Sequence, residues 1–202
     1  MKLLVKLAPA ALAALLAACA ASSPAPVLLT LPPVALPVPT AASSGTPAAA
    51  PLLAVRRVNI PEYLVARRVR YRADAATLAE WPNTYWAERI EIGVSREFVA
   101  ALRAQLPGWS ICDTNCGDQV PTLTLQVSLL PMDYLRSGQM LHAHARIALS
   151  GAGVPAKLLD TQALSVDIAS NADTAQGHAQ AITTLIEQVA AAAAPMVRGA
   201  KP

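Results

Sequence analysis

TLTLQVSLL at residues 122–130, QMLHAHARIALSG at residues 139–151 and KLLDTQALSVDIAS at residues 157–170 are three consecutive stretches in which apolar and polar residues alternate. Side chains on a β-strand point to opposite faces in turn, so the alternation gives each stretch one apolar and one polar face. Three such strands in succession predict an antiparallel meander whose polar face meets solvent.

Two helical patterns flank this meander. The first lies in TYWAERIEIGVSREFVAALRAQLPG (84–108), where an apolar residue recurs at every fourth position until Pro107-Gly108. Gly93 lowers the stability of the first half of this helix by about 1 kcal/mol, which predicts that the stable part of the helix begins near Ser95. The second pattern, TAQGHAQAITTLIEQVAAAAAPMV (174–197), starts at an Asp173-Thr174 cap. The predicted class is α+β: an antiparallel sheet of about four to six strands with two helices packed on one face, as an α/β sandwich.

An arginine-rich segment precedes the first helix. Val55, Val58 and Ile60 predict a strand that Pro61 ends, and residues 65–72 predict a second strand. Arg68, Arg70 and Arg72 project from one side of that second strand, and we call them the arginine face. Among the residues from Arg56 to Arg72, six are arginines and Glu62 is the one acid. The face is either a docking surface or a solvated edge that discourages aggregation; in the second case the Trp81–Trp86 segment, interpreted as a loop, would dock.

The chain begins with MKLLVKLAPAALAALLAAC, which has the charged, apolar and small-residue order of a secretory signal peptide. Its apolar run is about half the length that crosses a bilayer. Leu16-Ala17-Ala18-Cys19 looks like a bacterial lipobox, in which the Cys19 thiol is acylated and cleavage leaves Cys19 as the first mature residue. The alternative is an ordinary signal peptide with an incidental cysteine. Residues 1–18 are accordingly interpreted as a lipoprotein signal peptide.

The mature chain divides into a linker and one domain. Residues 19–51 are rich in proline, alanine and serine, which predicts a lipid-anchored tether with a short strand at 27–31. Residues 52–198 are predicted to form a single periplasmic domain, long enough to bury a core. Without Lys2 and Lys6 the chain keeps 14 basic residues against 13 acidic ones, and this near neutrality argues against nucleic acid as a partner.

Two further cysteines, Cys112 and Cys116, lie in the segment CDTNC. An oxidising compartment and the short turn between them favour a disulfide that pins this turn. A zinc site is the alternative, but it would need two more ligands, for which His142 and His144 are weak candidates. The sequence contains no phosphate loop, nucleophile elbow or paired histidine–carboxylate motif, so we expect no enzyme, no metal and no cofactor.

Several segments of the mature chain together resemble a known family. VLLTL (27–31), VNIPEYLVARRVRYR (58–72) and YWAERIEIGVSREFVAALRAQL (85–106) follow one another in the order of the PqiC/YmbA lipoproteins, also called ABC-type transport auxiliary lipoproteins. The Leu-Pro-x-Tyr-Leu-like segment of that family is matched here by Ile60-Pro61-Glu62-Tyr63-Leu64. The Trp-Ala-Glu at its helix entry is matched by Trp86-Ala87-Glu88.

The resemblance implies a protein without catalytic residues, acylated (with palmitate among the acyl groups) and attached to the periplasmic face of the outer membrane. Ala20 and Ala21 after the lipid cysteine resemble the outer-membrane retention pattern of enterobacteria. The implied role is that of an accessory component of an MCE-type ABC system that moves lipid between the two membranes and supports membrane integrity. Its partner would be an MCE-domain protein, and a homo-oligomeric ring is one assembly that the resemblance allows. A structural or assembly lipoprotein of another envelope machine, similar to a pilotin, is the alternative.

Overall fold

The predicted meander is present, and it forms the middle of a larger sheet. The computed structural model describes residues 24–35, 50–113, 116–153 and 155–200. These residues contain eight strands and two α-helices. In chain order they are β1 (Val27–Leu29), β2 (Leu52–Val55), β3 (Arg68–Arg72), β4 (Leu78–Trp86), α1 (Ile90–Gln105), β5 (Ser110–Asp113), β6 (Leu123–Leu135), β7 (Met140–Gly151), β8 (Leu158–Ala169) and α2 (Ala175–Gly199).

Strand β6 is the centre of the sheet. Along one edge it pairs antiparallel with β7, which in turn pairs antiparallel with β8. Along its other edge it pairs parallel with β2, beginning at Leu123, and with β3 at Leu135. Strands β4 and β1 extend the sheet beyond β3, and β5 extends it beyond β2. Within the described residues the outer strands are therefore β1, β5 and β8.

The predicted α+β class with two helices is confirmed, whereas the sheet differs from the prediction in two details. It has eight strands in the described part of the chain rather than about four to six, and it is mixed rather than antiparallel. Strand β1 pairs parallel with β4, and β2 pairs parallel with β5 and β6. Local alternation identifies a strand but does not indicate a distant parallel partner, because parallel pairing requires a long connection.

Strand β4 shows why part of the sheet was not predicted. Its sequence LAEWPNTYW contains Pro82 and Asn83, and Asn83 has a φ of 47°. These two residues break the alternation that predicts a strand. The Trp81–Trp86 segment lies in this strand with both tryptophans buried, so its interpretation as a loop is wrong.

Helix α1 begins at Ile90 rather than near Ser95. Gly93 has a packing role, since a Cβ on it would lie 3.3 Å from Oε1 of Glu88 and 3.6 Å from Cδ1 of Leu31. The absence of a side chain therefore lets the segment after β1 approach the helix. The apolar stripe predicted for this helix is buried in the common core with the sheet and α2: Ile90, Val94, Phe98, Val99, Leu102 and Leu106.

Part of the predicted tether packs against the domain. The strand expected at 27–31 is present as β1 (Val27–Leu29), and Leu29, Leu31 and Val34 are buried in the common core. The backbone N–H of Val34 donates to the Glu97 carboxylate of α1 at 3.1 Å. Residues 27–34 are therefore folded with the domain, which the sequence prediction began at residue 52. Cys19 and most of the tether lie outside the described residues.

A disulfide joins Cys112 and Cys116, whose Cα atoms are 5.3 Å apart. Strand β5 ends at Asp113, so the bridge lies where the chain leaves this outer strand. The loop that it closes is short, and in the chain-entropy account a short loop contributes less stability than a long one. The bridge therefore acts on this turn, and its formation in the periplasm stays a prediction.

A histidine is buried in the core beside aromatic rings. His178 of α2 stacks on Tyr134 with ring centroids 4.4 Å apart, and it meets the Trp86 ring edge-on at 6.5 Å. Among the described residues its Nδ1 has no hydrogen-bond partner. Burial removes water from the charged imidazolium and lowers the pKa of His178 to about 3. The side chain is consequently neutral around physiological pH.

We expect His178 to make the protein sensitive to acid. Its pKa is about 3 in the folded state against 6.5 for an ordinary histidine, so the unfolded state binds the proton more readily. The contribution of neutral His178 to the free energy of unfolding is complete above the histidine pKa of the unfolded state. It is lost as the pH falls toward the pKa of the folded state, and the loss is about 2 kcal/mol between pH 8 and pH 5. In urea unfolding at these two pH values, His178→Phe should reduce the pH dependence by this amount.

The control is His144→Asn, which changes a histidine on the solvent face of β7 and should keep the acid dependence of the wild type. A His178→Phe protein that loses as much stability between the two pH values as the wild type would contradict the role of His178.

Candidate functional site

The arginine face lies on the solvent side of the sheet, but its three members are not equally accessible. The side chains of Arg68, Arg70 and Arg72 are 49%, 33% and 21% exposed. A register shift between Arg68 and Arg70 interrupts the pairing of β3 with β4. Accessibility therefore falls along the strand, and Arg68 is the member that a partner reaches most readily.

Glu80 of β4 is shared by the first two arginines. Its carboxylate oxygens lie 3.3 Å from Nε of Arg68 and 3.3 Å from Nε of Arg70. Arg70 also donates through Nη1 to the Tyr63 carbonyl at 2.9 Å, and the Arg68 guanidinium lies 5.1 Å from the centroid of the Tyr85 ring. Partly exposed ion pairs of this kind contribute about 0–1 kcal/mol, so these guanidinium groups remain free to exchange partners.

Arg72 belongs to a more enclosed network. Its Nη2 donates to Oδ1 of Asp133 at 3.1 Å, while its Nε lies 2.9 Å from Oδ2 without the alignment of a hydrogen bond. The Tyr63 hydroxyl donates to Oδ1 of the same Asp133 at 2.8 Å. Burial, together with this hydrogen bond, raises the pKa of Tyr63. Arg72 thus ties β3 to β6 and to the 3₁₀ turn Glu62–Leu64, which is a structural role.

The folded chain supplies acids that local sequence did not associate with these arginines. Glu80 comes from β4 and Asp133 from β6, and both are brought to β3 by strand order. Three arginines then contact two carboxylates, so the arginine face keeps a smaller net positive charge than the sequence implied. Its use as a docking surface stays a proposal.

Arg136 has a defined place that sequence reasoning missed. Its guanidinium lies 4.3 Å from the Trp81 ring centroid and 5.0 Å from that of Tyr71. It donates to the Asp173 carboxylate through Nη2 at 2.7 Å and through Nε at 2.9 Å. These hydrogen bonds lower the pKa of Asp173. The pair joins the end of β6 to the start of α2, and no local motif signals it because the partners are far apart in sequence.

The two histidines considered as zinc ligands make cross-strand pairs instead. Nδ1 of His142 lies 2.6 Å from Oδ1 of Asp167, and Nδ1 of His144 lies 3.3 Å from Oγ of Ser165. Within the described ranges no three metal-ligating side chains come together in a way that could hold an ion. Pairs of this kind are typical of the solvent side of a sheet.

A pocket of about 370 Å³ opens beside the end of β4 and the start of α1. Val65 and Trp86 give it an apolar part, and Arg67, Arg89 and Glu91 give it a polar part. The Glu91 carboxylate is paired with the Arg89 guanidinium. The residues that line this pocket include no serine, cysteine or histidine.

The geometry defines the class of protein: an α+β sandwich that presents ion-paired surfaces. Comparison with known proteins identifies the family. The profile described as "ABC-type transport auxiliary lipoprotein component" matches residues 29–194. The chain belongs to the ABC-type transport auxiliary lipoprotein family, which confirms the resemblance found in its sequence. No described helix has both the length and the apolarity needed to cross a membrane.

Two curated relatives carry the same name. The intermembrane transport lipoprotein PqiC of Escherichia coli (strain K12) is 31% identical over 77 residues, and so is PqiC of Shigella flexneri. The match covers 38% of this chain and 41% of PqiC, so it spans about two fifths of the length of these relatives.

Two solved structures share the fold. A crystal structure of an uncharacterised protein has a TM-score of 0.68 and 20% identity, covering 86% of this chain and 99% of that one. A crystal structure of a Xanthomonas campestris protein has a TM-score of 0.62 and 12% identity, covering 85% and 94%. At such identities the likeness establishes the fold alone, since one fold serves many functions.

Proposed function

We propose that this protein is a non-enzymatic accessory lipoprotein of an MCE-type ABC lipid transport system. It is anchored through Cys19 at the periplasmic face of the outer membrane, where it docks an MCE-domain protein for lipid transport between the membranes. The observation that carries the proposal is the family match over residues 29–194, because this family is described as a lipoprotein component of ABC-type transport. The relative PqiC is named for intermembrane transport, which supports the same role here.

The N-terminal sequence supports the lipid anchor. Leu16-Ala17-Ala18-Cys19 has the lipobox pattern, and cysteine is required because its sulfur takes the diacylglyceryl group. Each buried CH₂ of an acyl chain contributes about 0.8 kcal/mol, so two or more chains hold a protein stably on a membrane. The residues that follow, Ala20 and Ala21, match the pattern of outer-membrane retention.

The arginine face supports a charge-based contact with the partner. Arg68 and Arg70 share the single carboxylate of Glu80, so this pair keeps net positive charge at an accessible place. Guanidinium groups form strong bidentate bonds with carboxylates, which makes an acidic surface of the MCE-domain protein the complementary partner. Arg72 contributes less because Asp133 already engages its guanidinium.

Cys19→Ala should abolish acylation and release the protein from the membrane, because the alanine side chain has no sulfur to modify. Intact-mass measurement and membrane fractionation of the expressed protein check both effects. The matched control is Cys112→Ser/Cys116→Ser, which removes the other two cysteines and should leave acylation unchanged. A Cys19→Ala protein that is still acylated and fractionates with the outer membrane would contradict the lipobox interpretation.

Arg68→Glu/Arg70→Glu should weaken co-purification with the MCE-domain protein at least about tenfold, because four units of charge are reversed opposite an acidic surface. Arg72 is left unchanged so that its bonds to Asp133 keep the sheet intact. Circular dichroism and thermal unfolding verify that the variant folds, and intact mass verifies that it is acylated.

The matched control for this variant is Arg56→Glu/Arg57→Glu, which reverses the same charge at two exposed arginines after β2. It should co-purify like the wild type. Undiminished co-purification of Arg68→Glu/Arg70→Glu would show that the arginine face is a solvated edge. Recovery of a different envelope complex by the wild-type protein would favour the pilotin-like alternative.

A further inference from the structure

We propose that the sheet edge formed by residues 24–30, here called the anchored edge, rests against the phospholipid headgroups of the membrane that holds the lipid anchor. The proposal rests on acylation of Cys19. It adds an orientation to the proposed function: β1 faces the membrane, and the opposite edge at β8 faces away from it.

The chain leaves little room between the anchor and this edge. Four residues separate Cys19 from Pro24, the first described residue, and the five Cα-to-Cα steps between the two span at most about 18 Å when fully extended. Pro24 is itself held in place, because Nδ2 of Asn83 donates to the Pro24 carbonyl at 2.8 Å and to the Ala25 carbonyl at 3.0 Å. The anchor therefore acts on a fixed point of the fold.

The anchored edge is joined firmly to the rest of the sheet. Residues Val27–Leu29 pair in parallel with Thr84–Trp86 of β4, and the carbonyl of Leu29 accepts from the N–H of Ala87 at 2.7 Å. The side chain of Leu29 is buried in the common core. Since β1 does not hang loosely from the domain, a constraint on this strand constrains the whole sheet.

The chemistry of the anchored edge suits a lipid surface. From residue 20 to residue 35 the chain carries no charged side chain. Val27 and Leu28 point to opposite faces of the strand, and both are exposed, Leu28 at 57%. Two apolar side chains on an uncharged edge favour contact with a lipid surface over water.

The depth of the contact follows from the backbone. Among the described residues β1 is an outer strand of the sheet, and unpaired N–H and C=O groups on an open edge need hydrogen-bond partners. The hydrocarbon core provides none, so an open strand edge does not enter it. The headgroup region provides both water and polar groups, and this is where the edge comes to rest.

Tethering makes a weak contact sufficient. A second contact between surfaces that are already linked is intramolecular, so its effective concentration is high. The edge at β8 lies five strands away, about 24 Å at the usual strand spacing, and it has no such link to the membrane. The short tether thus selects β1 over β8 even though both edges expose leucine.

The test compares one cysteine on each edge in the full-length acylated protein. Leu28→Cys and Leu158→Cys are matched, because both leucines are 57% exposed and each lies in an outer strand. With Cys19 acylated and Cys112 bonded to Cys116, the introduced thiol is the one that a fluorophore labels without reductant. The labelled proteins are placed in vesicles of phosphatidylethanolamine and phosphatidylglycerol that contain a headgroup-quencher lipid.

We expect the quencher lipid to reduce fluorescence at residue 28 at least about twofold more than at residue 158, and aqueous iodide to show the reverse order. Ala25→Cys gives a second label on the anchored edge and should behave like Leu28→Cys. Equal quenching on the two edges, or stronger quenching at residue 158, would overturn the orientation. Intact mass measures acylation independently of the quenching. A wild-type protein without acyl chains would refute the lipid anchor at Cys19, and the orientation that rests on it would fail with it.

Discussion

Hydrogen bonding along both edges of β6 is the constraint on which the rest of the fold depends. On one edge β6 carries the meander with β7 and β8. On the other edge it pairs with β2, with Asn59 and with β3 in succession, so that residues 52–72 follow its length. The one proline in β6, Pro131, falls where the register shifts, which is where a missing N–H does least harm in a central strand. Because β3, β4 and β1 are joined to the rest of the sheet through β6, the arginine face and the anchored edge take their positions from this strand.

With the proposed lipid anchor at Cys19, the position of β1 gives the structure a direction relative to the membrane. A chain that enters its domain through an outer strand transmits the position of its anchor to the whole sheet, since β1 is hydrogen-bonded to β4 and its Leu29 is buried in the common core. In the proposed orientation the solvent side of the sheet, with Arg68 and Arg70, lies beside the membrane, where the proposed periplasmic partner has access to it. The proposed lipid contact and the proposed partner contact therefore use different surfaces, an edge and a face, and do not compete.

The elements that the sequence predicts well are those whose signal is local. Alternation identified the three strands of the meander, and the four-residue period identified the stripe from Ile90 to Leu106. Strand β4 was not predicted because Pro82 and Asn83 interrupt the alternation of its residues. The parallel strand pairs were not predicted because the paired strands are distant in sequence. Distance in sequence also explains why the acidic partners of the arginine face were not predicted. Glu80 and Asp133 contact Arg68, Arg70 and Arg72 only once the strands have paired. His178 did leave a signal, because it shares helical spacing with the buried Ile182 and Leu185, yet a histidine is easily counted as polar.

Residue-resolved hydrogen exchange in the native state tests most directly whether the sheet is organised around β6. If it is, the amides from Leu123 to Leu129 are freed only by global unfolding, and they exchange more slowly than those of the outer strand β8. Their exchange free energies should then equal the free energy of unfolding measured with urea. Faster exchange in β6 than in β8 would contradict the account, because the strand that joins the two halves of the sheet would then open before its edge.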